Sequence, residues 1–179
     1  MARMVIDGFG QVELNNVAFR RDGRIEAQCA LSTVDFASVP AENGMILRVK
    51  KADHEICFAD ASAENQLYAL NYTTEHMYDE RKPGLKNFST KATNDFYPRV
   101  GYLAAGDLWT TNCIDLGAFS SVADVASALA SGEVYAAVGT QGAAVIQAAA
   151  PSTGPVLQVI KKTTMPDGQD AFQLQVLKV

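Results

Sequence analysis

The chain has few of the side chains that build metal centres. Its 179 residues include three cysteines and two histidines. His76 has no His or Cys at the short spacings of zinc motifs, and the single such pair, His54 and Cys57, has no second pair close to it in sequence. Cys29, Cys57 and Cys113 are odd in number and far apart, unlike a disulfide framework or a CxxC knuckle. We therefore expect no metal site, and we expect the cysteines to be small buried hydrophobic residues.

Basic clusters are also scarce. The net charge is −5, and the densest groups of Lys and Arg are residues 48–51 and 81–82. Proteins that bind nucleic acids usually present a basic stripe, because neutralising phosphates supplies most of their affinity. The sequence therefore argues against nucleic acid as a partner.

Long apolar runs are absent. The Ala-rich tract formed by residues 143–146 and 148–150, interrupted by Gln147, is far below the roughly 20 residues that span a bilayer. At the N-terminus, Asp7 and Gly8 interrupt any apolar stretch that a signal peptide would need. We expect a protein made in the cytoplasm that neither crosses nor binds a membrane.

Catalytic motifs are missing as well. There is no GxSxG sequence and no Walker lysine, and residues 8–10 (Gly-Phe-Gly) lack the rest of a dinucleotide motif. The carboxylates of Glu75, Asp79 and Glu80 stand beside Arg81 and Lys82, which would keep them ionised. We assign no catalytic residue, no metal ligand and no cofactor, and we interpret the chain as a non-enzyme.

What the chain does have is an alternation of apolar and polar residues between turns. An Asp-Gly pair at 22–23 separates two such stretches and predicts a hairpin of strands 11–20 and 24–33. A second hairpin is predicted for residues 45–50 and 55–59. Further strands are expected up to the C-terminus, with Trp109 packed in the core.

One helix is predicted, over residues 120–131. Ser120 or Ser121 can cap it, Asp124 lies in its first turn, and Gly132 ends it. Gly106 and Asp107 mark a break in the pattern. The sequence thus predicts a mostly β fold, with two small β-barrel or β-sandwich-like modules at 1–104 and 105–179 and one short helix near 120–131.

Residues 75–88 form the longest stretch without clear periodicity. Long irregular loops are often functional, and this one mixes aromatic, apolar and basic side chains. An apolar anchor inside a charged rim is common at protein interfaces. The candidate contact residues are Tyr72, His76, Tyr78, Arg81, Lys82, Leu85, Lys86 and Phe88.

Several segments carry a family resemblance. They are residues 71–88, 98–103 followed by Gly106-Asp107, 110–112, 154–159 and 163–169. Through them the chain resembles small structural proteins of tailed bacteriophages that are often encoded near the major capsid protein, and in particular head decoration, or cement, proteins. The resemblance extends over roughly residues 10–179, and its motifs are structural, so that no binding residue follows from it.

The resemblance implies a virion protein on the capsid surface that stabilises contacts between major capsid subunits. Its partners would be the major capsid protein and possibly further copies of itself. We expect non-covalent binding that depends on shape and burial. Two alternatives stay open: another virion component, such as a tail-tube, head-fibre or shell protein, and a small-ligand-binding protein or enzyme.

Overall fold

The computed structural model of the protein describes residues 9–62, 66–73 and 97–179. Strands make up 41% and helices 10% of this part of the chain, so the predicted mostly β class is confirmed. The strands are β1 (Val12–Asn16), β2 (Ile25–Glu26), β3 (Ala30–Leu31), β4 (Ile46–Lys50), β5 (Glu55–Phe58), β6 (Tyr68–Asn71), β7 (Val100–Tyr102), β8 (Leu108–Thr111), β9 (Ile114–Asp115), β10 (Val134–Val138), β11 (Ala144–Gln147), β12 (Val156–Thr164) and β13 (Asp170–Lys178). The helices are α1 (Ala18–Asp22) and α2 (Val122–Ser131).

The strands form two sheets. The seven-stranded sheet has the order β1-β8-β13-β12-β10-β11-β9, and the six-stranded sheet has the order β2-β7-β6-β4-β5-β3. Neighbouring strands are antiparallel, except for the parallel pairs β9–β11 and β3–β5. Neither sheet closes on itself, because strands at opposite ends of each order are not paired. The barrel alternative is therefore wrong, and a β-sandwich-like arrangement fits.

One core lies between the two sheets. Trp109 and Leu174 of the seven-stranded sheet share this core with Ile46 and Leu70 of the six-stranded sheet, and all four are fully buried. Helix α2 adds Val125, which is also fully buried. Burial of such large apolar side chains is the main favourable term in folding, so the two sheets stabilise each other.

A second core covers the opposite face of the six-stranded sheet. Leu47 and Ile56 point to this side and contact side chains of the irregular segment 27–45, including Phe36, which is fully buried. The rings of Phe36 and Phe58 are 4.5 Å apart. The six-stranded sheet is thus buried on both faces.

The predicted hairpin at Asp22-Gly23 is wrong. Residues 18–22 form helix α1, and Gly23 ends it with a left-handed φ of 71°. Strand β1 pairs with β8 instead of β2. The physical reason is that a helix C-cap and a tight hairpin turn both need a residue that tolerates positive φ, so Asp-Gly serves either.

The second predicted hairpin and the predicted helix agree with the structure. Strands β4 and β5 form the second predicted hairpin. Helix α2 is the predicted helix, with the Ser121 side chain accepting a hydrogen bond from the Asp124 N–H at 3.2 Å. Strands β2–β7 fall before residue 104 and β8–β13 after it, but β1 joins the second group. The division into modules at 104/105 stays a prediction.

Candidate functional site

Of the eight predicted contact residues, the structure describes Tyr72. The other seven, from His76 to Phe88, lie outside the described residues. The Tyr72 ring is half-buried, and its centroid is 5.1 Å from that of Phe19. Burial raises the pKa of the Tyr72 phenol, and the neighbouring Arg99 opposes this shift. In the described part of the chain, Tyr72 therefore helps to close the core.

Other residues singled out from the sequence have structural positions. Trp109 is fully buried, as predicted. All three cysteines are buried and unpaired, and burial raises the pKa of the Cys113 thiol to about 12. A thiol with such a pKa is a poor nucleophile at neutral pH. His54 is exposed in the turn between β4 and β5, with a positive φ of 54°.

The outer face of the seven-stranded sheet is the first surface with the features of a binding site. Residues directly opposite each other on paired strands lie on the same face. The register therefore aligns one row of side chains across five strands, from β11 to β8: Gln147, Tyr135, Gln158, Gln175 and Leu108. All five are partly exposed, and neither hydrophobic core includes Leu108 or Tyr135.

The five residues of this row are uncharged, and charged residues lie around them. Glu13 is on the edge strand β1, Asp115 is on the opposite edge strand β9, and Lys161 of β12 follows the end of the β10–β12 pairing. Glu133 precedes β10 and accepts hydrogen bonds from the Tyr135 hydroxyl and, at 3.4 Å, from the Gln158 amide. Its carboxylate is therefore partnered by two members of the row.

A short polar network fixes the β1 side of the same face. The Asn15 Oδ1 atom accepts hydrogen bonds from the Thr110 hydroxyl at 2.8 Å and from the Gln173 amide at 3.1 Å. These three residues belong to the adjacent strands β1, β8 and β13. The network restricts the rotamers of the side chains it joins, so this part of the surface is held ready for contact.

The second surface is a groove of 490 Å³ at the edge of the sandwich. Residues of both sheets line it, together with the turns that follow β5 and β10. Its lining consists of Asp35, Arg48, Phe58, Ala59, Asp60, Ala61, Ser62, Val138, Gly139, Thr140 and Thr153. The main chain holds the two sheets together beside it, because the Ile46 N–H donates to the Gly142 carbonyl at 2.7 Å.

Arg48 is the unusual side chain of the groove. Its Nε atom is buried and has no hydrogen-bond partner among the described residues. None of the ion pairs within that part of the chain includes Arg48. A buried donor without a partner costs about 1–3 kcal/mol, and more when it is charged. The groove is therefore lined by a guanidinium group of which the Nε–H has no partner in the described part of the chain.

The two acidic residues of the groove are already engaged. The Asp35 carboxylate accepts a hydrogen bond from the Phe58 N–H at 2.8 Å. The Asp60 carboxylate accepts from the N–H and the hydroxyl of Ser62, at 2.9 and 2.6 Å. These bonds shape the turn after β5 and keep the wall of the groove in place.

Sequence reasoning identified neither surface. In the sequence, Arg48 is notable only as a member of the basic group 48–51, and the glutamines of the row belong to no recognisable motif. The alternation in β13, where Gln173 and Gln175 separate buried residues, was a usable signal for an exposed sheet face. The groove left no such signal, because it is assembled from five segments distant in sequence.

The described residues contain no group of three or more His, Cys, Asp or Glu side chains that could hold a metal ion. Within the same ranges, no helix is long and apolar enough to cross a membrane. No protein-family model matches the chain, and no curated protein or solved structure shows significant similarity to it.

Proposed function

We propose that the chain is a structural protein of a tailed-bacteriophage virion. In this role it binds the outer surface of the capsid and stabilises contacts between major capsid subunits, without catalysis. The proposal rests first on the resemblance in residues 71–88, 154–159 and 163–169. The structural observation that supports it is the row of uncharged side chains from Gln147 to Leu108 on the outer face of the seven-stranded sheet.

This face fits a flat protein partner better than a small ligand. The row from Gln147 to Leu108 crosses five strands, and adjacent strands are about 4.8 Å apart, so the row extends roughly 19 Å. Amide groups can both donate and accept hydrogen bonds to a partner's backbone or side chains. A row without charged side chains limits the desolvation of unpaired ions on binding.

Sedimentation with virus particles tests the proposal. The double variant Gln158→Lys/Gln175→Lys places two positive charges in the middle of the face. Purified protein would be added to particles of the encoding virus that lack it, and bound protein would be measured after centrifugation. We expect at least a tenfold loss of binding, because both added ammonium groups must lose water at the interface.

The matched control is Gln28→Lys/Ser38→Lys. Both positions are exposed, and both lie on the segment that covers the six-stranded sheet. This control adds the same charge and should leave binding within twofold. Equal loss in both variants would point to a general charge effect, and unchanged binding in the first would contradict an interface on the outer face.

The segment 75–88 is proposed as a second contact element, from its sequence alone. The variant Tyr78→Ala/Arg81→Ala/Phe88→Ala tests it in the same assay. Reduced binding with an unchanged melting temperature is the expected result. A large fall in melting temperature would show that these side chains stabilise the fold instead.

A further inference from the structure

We propose that the groove around Arg48 is a binding site for a carboxylate group. The inference is independent of the capsid role, because the groove lies at the edge of the sandwich and shares no residue with the row from Gln147 to Leu108. Two observations carry it. The buried Nε–H group of Arg48 has no partner in the described part of the chain, and the groove beside it has a volume of 490 Å³.

The chemistry of the guanidinium group selects an oxyanion. Arginine stays protonated at every physiological pH, and its planar fork of N–H donors matches two oxygens of one carboxylate. Such paired, charge-assisted bonds are stronger than bonds between neutral groups. The hydroxyl groups of Thr140 and Thr153 also line the groove and add two potential donors.

The charge of the groove selects a monoanion over phosphate. Asp35 and Asp60 line the same space as Arg48, so one positive charge faces two negative ones. A phosphate monoester carries about −1.5 to −2 charges at pH 7 and would be repelled more strongly than a carboxylate. The two aspartates thus act against multiply charged anions.

The apolar part of the groove indicates which kind of chemical group is attached to the bound carboxylate. Phe58, Ala59 and Val138 line it, and they suit a short aliphatic chain. Two sources share this chemistry: a free aliphatic acid, and a glutamate side chain of a protein partner. Pockets of small-molecule sites begin at about 300 Å³, so the volume accommodates either source.

Nuclear magnetic resonance of the arginine Nε–H groups tests the site directly. The Arg48 signal is assigned as the one missing from the Arg48→Lys variant. Butyrate, inorganic phosphate, and blocked Gly-Glu-Gly and Gly-Gln-Gly peptides are each titrated at constant ionic strength. We expect a saturable shift of the Arg48 signal with butyrate, the glutamate peptide or both, and at least fivefold weaker binding of phosphate and of the glutamine peptide.

The variants separate the site from general charge effects. Arg48→Lys keeps the charge but loses the paired geometry, and it should weaken butyrate binding at least fivefold when the affinity is measured by isothermal titration calorimetry. Arg24→Gln is the matched control, because Arg24 lies outside the groove and lies 3.9 Å from the Asp22 carboxylate. It should leave the Arg48 titration unchanged.

Saturation by butyrate indicates a free acid as ligand, and tighter saturation by the glutamate peptide indicates a protein partner. Phosphate binding as strong as butyrate binding, or no saturable shift with any probe, would overturn the proposal.

Discussion

The two sheets differ in how many of their faces are buried. The six-stranded sheet packs against the other sheet on one side and against segment 27–45 on the other. The seven-stranded sheet buries one face and leaves the row from Gln147 to Leu108 partly exposed. One sheet is therefore covered on both faces, whereas the other combines a buried face with a partly exposed one.

The sequences of the strands reflect this difference. All four residues of β6, Tyr68–Asn71, are buried. In β13 the buried residues Phe172, Leu174 and Val176 alternate with Gln173 and Gln175. Strands covered on both faces have nearly continuous apolar runs, and strands covered on one face alternate.

The largest effect is expected from a positive charge placed in the core of the six-stranded sheet, compared with the same charge on the outer face of the seven-stranded sheet. Leu47→Lys puts an ammonium group into the second core, where Leu47 is fully buried, and should lower the free energy of unfolding by at least about 4 kcal/mol. Gln175→Lys on the outer face should change it by no more than about 0.5 kcal/mol. Urea titration of both variants measures the contrast. Similar losses would mean that the outer face is packed.

A smaller loss is expected from Trp109→Ala, about 3–5 kcal/mol, because it leaves a large cavity in the core between the sheets. Since that core is shared, both sheets should unfold together. Hydrogen exchange during urea titration reports this for β6 of the six-stranded sheet and for β13 of the seven-stranded sheet. One midpoint for both strands is expected; two separate midpoints would indicate independent modules.

Gly101→Ala should cost about 1–3 kcal/mol. A Cβ atom at Gly101 would lie 2.1 Å from Cδ2 of the buried Phe19 ring, so helix α1 would have to move away from β7. Gly132→Ala is the control, because nothing lies within 4 Å of its added Cβ atom. Thermal unfolding of the pair provides the measurement. Equal melting temperatures would contradict the close contact between α1 and β7.

The smallest effect concerns pH. A hydrogen bond from Lys51, with further ones from the Gln28 and Ala27 N–H groups, lowers the pKa of Glu26 in strand β2 of the six-stranded sheet. The stability it contributes is present above the ordinary glutamate pKa of about 4.3 and is lost as pH falls through the lowered value. Between pH 6 and pH 3 the melting temperature should fall about 1–2 °C more in the wild type than in Glu26→Gln. A larger fall of the melting temperature in Glu26→Gln than in the wild type would contradict a lowered pKa of Glu26.

Strand content and the one long helix were predictable, because both depend on local periodicity and capping. The turn at Asp22-Gly23 was not, because its local chemistry permits a helix end or a hairpin. The choice depends on Phe19, which is fully buried against Gly101 and so favours a helix that points this ring into the core. Such a contact between residues distant in sequence cannot be recognised from a short stretch of the sequence.

The candidate surfaces were less predictable than the fold. Gln147, Gln158 and Gln175 become neighbours only through the strand order β13-β12-β10-β11, which periodicity does not specify. Arg48 alternates with apolar residues like any partly exposed strand residue. Its lack of a partner follows from the positions of the turns around it, not from the residues next to it in sequence.

Hydroxyl-radical footprinting of Tyr135 tests the outer face as an interface most directly. Tyr135 is the aromatic member of the row, and Leu67, which is 57% exposed before β6, serves as the internal reference. On assembled particles, oxidation of Tyr135 should fall at least about fivefold relative to the free protein, while oxidation of Leu67 changes little. Equal oxidation of Tyr135 in the free and particle-bound protein would contradict the proposed role of this face.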